Sequence, residues 1–139
     1  MKNKEVMIQL KSIQSMGKKK EEMELITKGQ YRKTSDGFVI SYDESEATGY
    51  EGSKTILTTI GENQVTMQRK GSTVSNLVIE KDKKHHCHYG TPYGDFMMGI
   101  TANDIKSNLD ASGGELYFKY VIDINSSYIS DQEIFINVK

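Results

Sequence analysis

Hydrophobic and polar residues alternate with a period of two along most of the chain, and short clusters of Gly, Asn, Asp and Ser interrupt this alternation. Side chains on a strand point alternately to its two faces, so each alternating segment predicts a strand with one apolar face. No segment shows the periodicity of an amphipathic helix. The sequence therefore predicts an all-β protein.

The clearest predicted strand is "ELYFKYVIDI", in which Leu116, Phe118 and Tyr120 share one face. About eight to ten strands with short connections favour a single antiparallel up-and-down barrel over residues 1–139, with the apolar faces turned inward. The other predicted inner-face residues are Val6, Ile8, Leu10, Met23, Leu25, Thr27, Phe38, Ile40, Tyr42, Val65, Met67, Arg69, Leu77, Ile79, Ile122, Ile124, Ile134, Ile136 and Val138.

Two connections carry more specific expectations. The "TSDG" segment at 34–37 predicts an Asp-Gly hairpin turn with a positive φ. Farther along, Met98 and Ile100 are even-numbered, whereas Ile105 and Leu109 are odd-numbered. One extra residue must therefore enter around "TAND" if both pairs face the same core, and a β-bulge provides it. One helical turn at "NDIKSNL" is the alternative.

The histidine-rich stretch "KHHCHYGTPYGDFMMGI" contains all three histidines, the single cysteine and the single proline. Its "TPYG" segment matches a type I turn, which predicts a hairpin. A two-residue loop places Cys87 opposite Met98, Tyr89 opposite Phe96 and His85 opposite Ile100, so that the bulky apolar residues of both strands share a face. His86 and His88 then face water.

A three-residue loop with Gly94 in the left-handed conformation would produce a different register and bury His86 and His88. Each imidazole buried without a partner costs about 1 to 3 kcal/mol, so the two-residue loop is preferred. His86 and His88 lie on one strand face and could approach a common metal ion, but no third ligand is identified. Cys87 points the opposite way. A metal site at these two histidines is therefore the least favoured hypothesis.

Composition narrows the class of partner. Lys and Arg together number 18 against 19 Asp and Glu, which gives a net charge of −1. Nucleic-acid-binding surfaces usually carry a basic excess rich in Arg, so no nucleic-acid partner is expected. The chain has one cysteine, no apolar run of signal-peptide length and no apolar run long enough to span a membrane. We therefore predict a cytoplasmic location and no membrane association.

Polar residues on the predicted inner faces are the remaining chemical signal. Arg69 shares its face with Val65 and Met67, so its guanidinium must form an ion pair or reach the barrel mouth; the ion pair is preferred. Tyr42, Tyr89 and Tyr120 also point inward, and their hydroxyl groups need partners.

Four segments resemble the YwiB-like family of calycin-like β-barrel proteins from Gram-positive bacteria: "ISYDES", "KTILTTIGENQVTMQRKG", "YGTPYGDFMMGIT" and "GGELYFKYVIDI". The resemblance extends from about residue 6 to the C-terminus. It implies a lipocalin-like barrel, in agreement with the strand pattern. It implies no particular activity.

We therefore expect a non-enzymatic barrel that binds a small, largely apolar ligand, with no catalytic residue and no cofactor assigned. A solid barrel that acts as an interaction module or as a homodimer is the alternative, and a protein that binds metal through its surface histidines is the third hypothesis. The candidate ligand-binding residues are Tyr42, Met67, Arg69, Tyr89, Phe96, Met98, Phe118 and Tyr120.

Overall fold

The computed structural model describes residues 3–45, 51–72, 74–91, 94–124 and 127–139, and side chains in all of these except 89–91 and 94–96. The described residues form ten strands and no helix, which confirms the all-β prediction. The strands are β1 (Lys4–Met16), β2 (Lys19–Lys33), β3 (Gly37–Asp43), β4 (Ser53–Ile60), β5 (Gln64–Gly71), β6 (Ser75–Glu80), β7 (Lys84–Thr91), β8 (Gly94–Asp110), β9 (Gly113–Ile124) and β10 (Ser127–Val138).

All ten strands belong to one antiparallel sheet in the order β6-β5-β4-β3-β2-β1-β10-β9-β8-β7. The sheet consists of two meanders, β1 to β6 and β7 to β10, in which every strand pairs with its neighbour in sequence. Pairing between β1 and β10, for example Leu10 with Ile136, joins the two meanders. The predicted up-and-down barrel is therefore confirmed.

The two edge strands of the sheet, β6 and β7, meet at the seam of the barrel. They are consecutive in sequence but do not pair as a ladder. Contacts at one end hold the two edges together. The amide of Asp82 donates to the carbonyl of Ala102 at 3.3 Å, and a ring nitrogen of His85 lies 2.8 Å from Glu80 Oε1. The barrel is thus nearly closed, with a short connection in place of a full ladder.

The core fills one half of the barrel, where the first half of β1 contributes Val6 and Ile8. Tyr31 is 2% exposed in this packed half, stacks on Phe38 with a centroid separation of 5.5 Å, and donates its hydroxyl to the carbonyl of Asp110 at 2.7 Å. Most of the predicted inner-face residues are buried in one core cluster, and Met23, Leu25, Phe38, Ile122 and Ile124 pack against it.

The bulge predicted at "TAND" is present. The register of β8 against β9 shifts between Ala102 and Asp104, so that both Ile100 and Ile105 point into the core. The alternative helical turn is absent from this part of the chain. An extra residue in one strand bends it and increases its twist, which helps a sheet curve into a barrel.

The Asp-Gly turn was predicted incorrectly in one respect. Neither Asp36 nor Gly37 has a positive φ. Instead, the Thr34 side chain accepts a hydrogen bond from the Gly37 amide at 3.0 Å. A Cβ at residue 37 would clash with the backbone carbonyl of Thr59 on the neighbouring strand. Glycine is therefore required here by the close approach of two backbones, because a side chain would not fit between them.

Tyr31 should make the barrel sensitive to alkaline pH. The pKa of Tyr31 is raised from 10.0 to about 12, mainly by burial of the side chain and to a smaller extent by the nearby Asp110 carboxylate. Between these two pH values the unfolded chain releases a proton that the folded chain retains, so unfolding becomes more favourable as pH rises. We expect the free energy of unfolding, measured by urea denaturation from pH 9 to pH 12, to fall less steeply in Tyr31→Phe than in the native protein.

Tyr128→Phe is the matched control, because Tyr128 is 52% exposed. The free energy of unfolding of the Tyr128→Phe variant should fall with pH as steeply as that of the native protein. Identical slopes for all three proteins would contradict the assignment to Tyr31.

Candidate functional site

A cavity of about 420 Å³ occupies the other half of the barrel interior, at the end that contains the β1–β2 turn. Exposed Glu21 and Glu22 line its rim. Its apolar wall includes Met67, Leu77, Met98, Ile122, Ile124 and Ile134. Its polar lining includes Ser12, Gln14, Arg69, Ser75, Ser130 and Gln132.

The inner face of β1 shows why the cavity forms at this end. Val6, Ile8 and Leu10 point inward and are buried, and the next two inward positions are Ser12 and Gln14. These residues are more polar than the apolar residues of the packed half, and Ser12 is also smaller. The inner face therefore changes from apolar to polar partway along the strand, and the barrel is packed only where large apolar side chains meet.

A polar cluster lies next to the cavity, and one of its members, Arg69, lines it. Tyr42, Thr55 and Arg69 form a row across β3, β4 and β5, because Tyr42 pairs with Thr55 and Thr55 pairs with Arg69. Glu44 follows β3, and its amide donates to the carbonyl of Ser53 at 2.8 Å, which extends the strand geometry by one residue. The carboxylate is thereby placed beside this row.

Glu44 is the central residue of this cluster, and its side chain is only 2% exposed. Its Oε1 accepts a hydrogen bond of 2.6 Å from the Thr55 hydroxyl and lies 3.9 Å from Arg69 Nε. The ion pair expected for Arg69 is therefore present. Charged groups are rarely buried to this extent unless they are paired, so Arg69 and Thr55 help to keep the carboxylate inside the barrel.

The hydroxyl of Tyr42 is held in its protonated form. Burial raises the pKa of Tyr42 well above its usual value, the negative charge of Glu44 raises it further, and Arg69 partly opposes this effect. Tyr42 therefore keeps its hydroxyl proton at neutral pH. The cluster as a whole combines one carboxylate, one guanidinium and two hydroxyl groups in a largely buried environment.

The sequence-predicted binding residues occupy several different positions. Met67, Arg69, Met98 and Tyr120 line the large cavity, and Tyr42 lines a smaller cavity next to it. Phe118 is fully buried and lines neither cavity. The side chains of Tyr89 and Phe96 lie outside the described residues.

The sequence analysis did not identify five of the polar residues of the site: Ser12, Gln14, Glu44, Ser130 and Gln132. A signal for four of them is present in the sequence, because each continues the period-two series of an apolar inner face: Ser12 and Gln14 on β1, and Ser130 and Gln132 on β10. Glu44 also continues a series, that of Phe38, Ile40 and Tyr42 on β3. It follows the last residue of this strand, however, and the sequence does not show that the strand geometry extends to it.

The histidine-rich hairpin has the predicted register. Cys87 pairs with Met98 and is buried, whereas His86 pairs with Gly99 and is exposed, as is His88. The pairing of Thr91 with Gly94 leaves a two-residue loop, although the predicted type I conformation of residues 92 and 93 lies outside the described residues. The alternative register is therefore wrong.

Among the residues that the structure describes, no third metal ligand is grouped with His86 and His88 on the outer face. Gly99 lies between His86 and Asp123 in the sheet, and the absence of a side chain there leaves room for the Asp123 carboxylate. That carboxylate is paired with Lys84 Nζ at 2.8 Å. Across the described part of the chain, no group of three or more His, Cys, Asp or Glu residues is arranged to hold a metal ion.

Comparisons with known proteins agree with this architecture. The crystal structure of the ywiB protein from Bacillus subtilis aligns with a TM-score of 0.75 and 19% sequence identity, over 99% of this chain and 93% of that chain. At this identity the likeness shows the fold alone. No curated protein matches the chain, and within the described residues no helix has the length and apolar character needed to cross a membrane. Residues 8–136 match the family described as Domain of unknown function (DUF1934), and because this match covers most of the sequence, the chain belongs to that family.

Proposed function

We propose that this protein is a non-enzymatic binding protein whose barrel interior holds one small, largely apolar molecule. The observation that carries the proposal is the cavity of about 420 Å³ at one end of the barrel. Small-molecule sites typically measure about 300 to 1,000 Å³ and combine an apolar lining with a few polar groups. The interior cavity of this barrel has a volume in this range, and its lining joins an apolar wall to several polar side chains.

The lining supports an apolar ligand because one side of the cavity is formed by flexible or branched apolar side chains. Met67 and Met98 contribute thioether side chains, which adapt to irregular shapes. Burial of apolar ligand surface against them contributes about 25 cal/mol per Å². The predicted alternatives, a solid interaction barrel and a homodimer, remain predictions, as does the cytoplasmic location.

A cavity-filling substitution tests the proposal. Ser12 lines the cavity from β1, so Ser12→Phe places an aromatic ring in the space that a ligand would occupy. Ser15→Phe is the matched control, since Ser15 lies on the same strand and does not line the cavity. The probe is N-phenyl-1-naphthylamine, an uncharged fluorophore whose emission rises in apolar surroundings.

We expect the native protein and Ser15→Phe to bind the fluorophore with similar dissociation constants. The constant should rise at least about tenfold in Ser12→Phe, which corresponds to about 1.4 kcal/mol of lost binding free energy. Circular dichroism melts of both variants establish that they are folded. Unchanged binding by a folded Ser12→Phe, or an absence of binding by the native protein, would contradict the proposal.

A further inference from the structure

A second, much smaller cavity of about 30 Å³ lies directly behind the large one. The two cavities share the residues Ser12, Met23, Met67, Arg69 and Ile134. The small cavity also reaches Tyr42 and Glu44, which do not line the large one. The two cavities therefore adjoin along these shared side chains, and the small cavity brings the Glu44 carboxylate next to the interior space.

One oxygen of that carboxylate lacks a hydrogen-bond partner. Oε1 of Glu44 accepts from Thr55, but Oε2 is buried and has no partner within the described structure. An unsatisfied buried acceptor costs about 1 to 3 kcal/mol, and more when the group is charged, so such atoms usually mark a position where a bound group or water completes the site. A cavity of about 30 Å³ is large enough for one small polar group.

The charges around this position limit the kind of group that fits. Oε2 of Glu44 accepts hydrogen bonds and repels an anion. The Arg69 guanidinium lines the same small cavity, with its Nε 3.9 Å from Glu44 Oε1, and it repels a cation. A guanidinium carries five N–H donors and no acceptor. A neutral group that both donates and accepts hydrogen bonds therefore suits this pair better than an ammonium or a carboxylate.

We infer that Glu44 and Arg69 form a polar subsite of the barrel cavity for the uncharged head group, a hydroxyl or a primary amide, of an otherwise apolar ligand. The hydroxyl donates to Glu44 Oε2 and accepts from the Arg69 guanidinium, while the apolar part of the ligand lies against the methionine and isoleucine wall. This inference rests on the proposed function. It adds a preference for neutral amphiphiles, such as long-chain or aromatic alcohols and amides.

Three molecules with the same eight-carbon chain test the head-group preference: n-octanol, octanoate and n-octylamine, each used at pH 7 to displace N-phenyl-1-naphthylamine from the native protein. We expect octanol to displace the fluorophore at a concentration at least about tenfold lower than either charged molecule requires, which is about 1.4 kcal/mol of discrimination. Equal displacement by all three, or displacement that is strongest with either charged molecule, would overturn the inference.

The Glu44→Gln variant tests whether Glu44 is responsible for the head-group preference, because it removes the negative charge with little change in side-chain size. The preference for octanol over octanoate should shrink at least about threefold in this variant, whereas Glu62→Gln, at an exposed position that lines neither cavity, should leave it unchanged. An unchanged preference in a folded Glu44→Gln would also overturn the inference. These outcomes differ from failure of the proposed function, in which the fluorophore itself does not bind to the native protein.

Discussion

Replacing Phe118 with alanine is expected to lower the free energy of unfolding by about 3 to 5 kcal/mol, because it removes a fully buried aromatic ring from the packed half of the barrel. Phe118 pairs with Ile105 on β8 and with Ile134 on β10, and its ring lies 6.0 Å from that of Tyr120. Residues in three adjacent strands surround it and would lose contacts. Urea denaturation followed by circular dichroism measures the loss.

Phe135→Ala provides the matched control. Phe135 lies on the outer face of β10, is 38% exposed, and packs its ring against that of Tyr117, with 4.8 Å between the ring centroids. An aromatic pair at the surface contributes about 0.5 to 1.5 kcal/mol beyond its buried area, so the loss should be much smaller than for Phe118. Equal losses in the two variants would show that the barrel interior is not packed around Phe118.

Replacing Arg69 with methionine is expected to lower the free energy of unfolding by about 3 kcal/mol. The substitution leaves the carboxylate of Glu44 in place, 2% exposed and without the guanidinium 3.9 Å away. Removal of one member of a buried ion pair costs about 3 to 5 kcal/mol, mainly because the other charge is left uncompensated. Arg69 itself is 19% exposed, which favours the lower end of this range.

The only other arginine gives a control within the same chain. Arg32 is exposed on β2, and Arg32→Met should change stability by no more than about 0.5 kcal/mol. The double variant Glu44→Gln with Arg69→Met should be more stable than Arg69→Met alone, with a coupling energy of about 1 to 3 kcal/mol. Purely additive effects of the two substitutions would contradict the electrostatic explanation.

The inner wall of the barrel could be predicted from the sequence because alternation determines which side of a strand a residue occupies. Leu116, Phe118 and Tyr120 follow this rule without interruption. The bulge in β8 was predictable for the same reason, since one apolar series changes from even to odd positions. In the histidine-rich hairpin, the cost of burying unpaired imidazoles selected the correct register.

The seam and the cavity could not be predicted in this way. Alternation identifies faces but does not specify which neighbouring strands pair, and a short connection normally implies a hairpin. At residues 81 to 83 the chain instead crosses to β8, where Lys81 forms a parallel bridge with Ala102. The cavity depends on how much volume opposing side chains fill across the barrel, which is a property of several strands together. Glu44 continues the inward-facing series of β3 just after the strand ends, and only the hydrogen bond of its amide to Ser53 shows that the strand geometry reaches it.

The arrangement of the sheet as two meanders also has a consequence for how the chain folds. Pairs of neighbouring strands within β1 to β6 and within β7 to β10 form contacts between residues that are close in sequence, and such contacts form rapidly. The β1–β10 ladder, by contrast, joins partners such as Ile8 and Val138 from opposite ends of the sequence. Closing so long a loop carries a large entropic cost before any contact compensates for it. We therefore expect the two meanders to form first, and the step in which β1 meets β10 to limit the folding rate of the whole barrel.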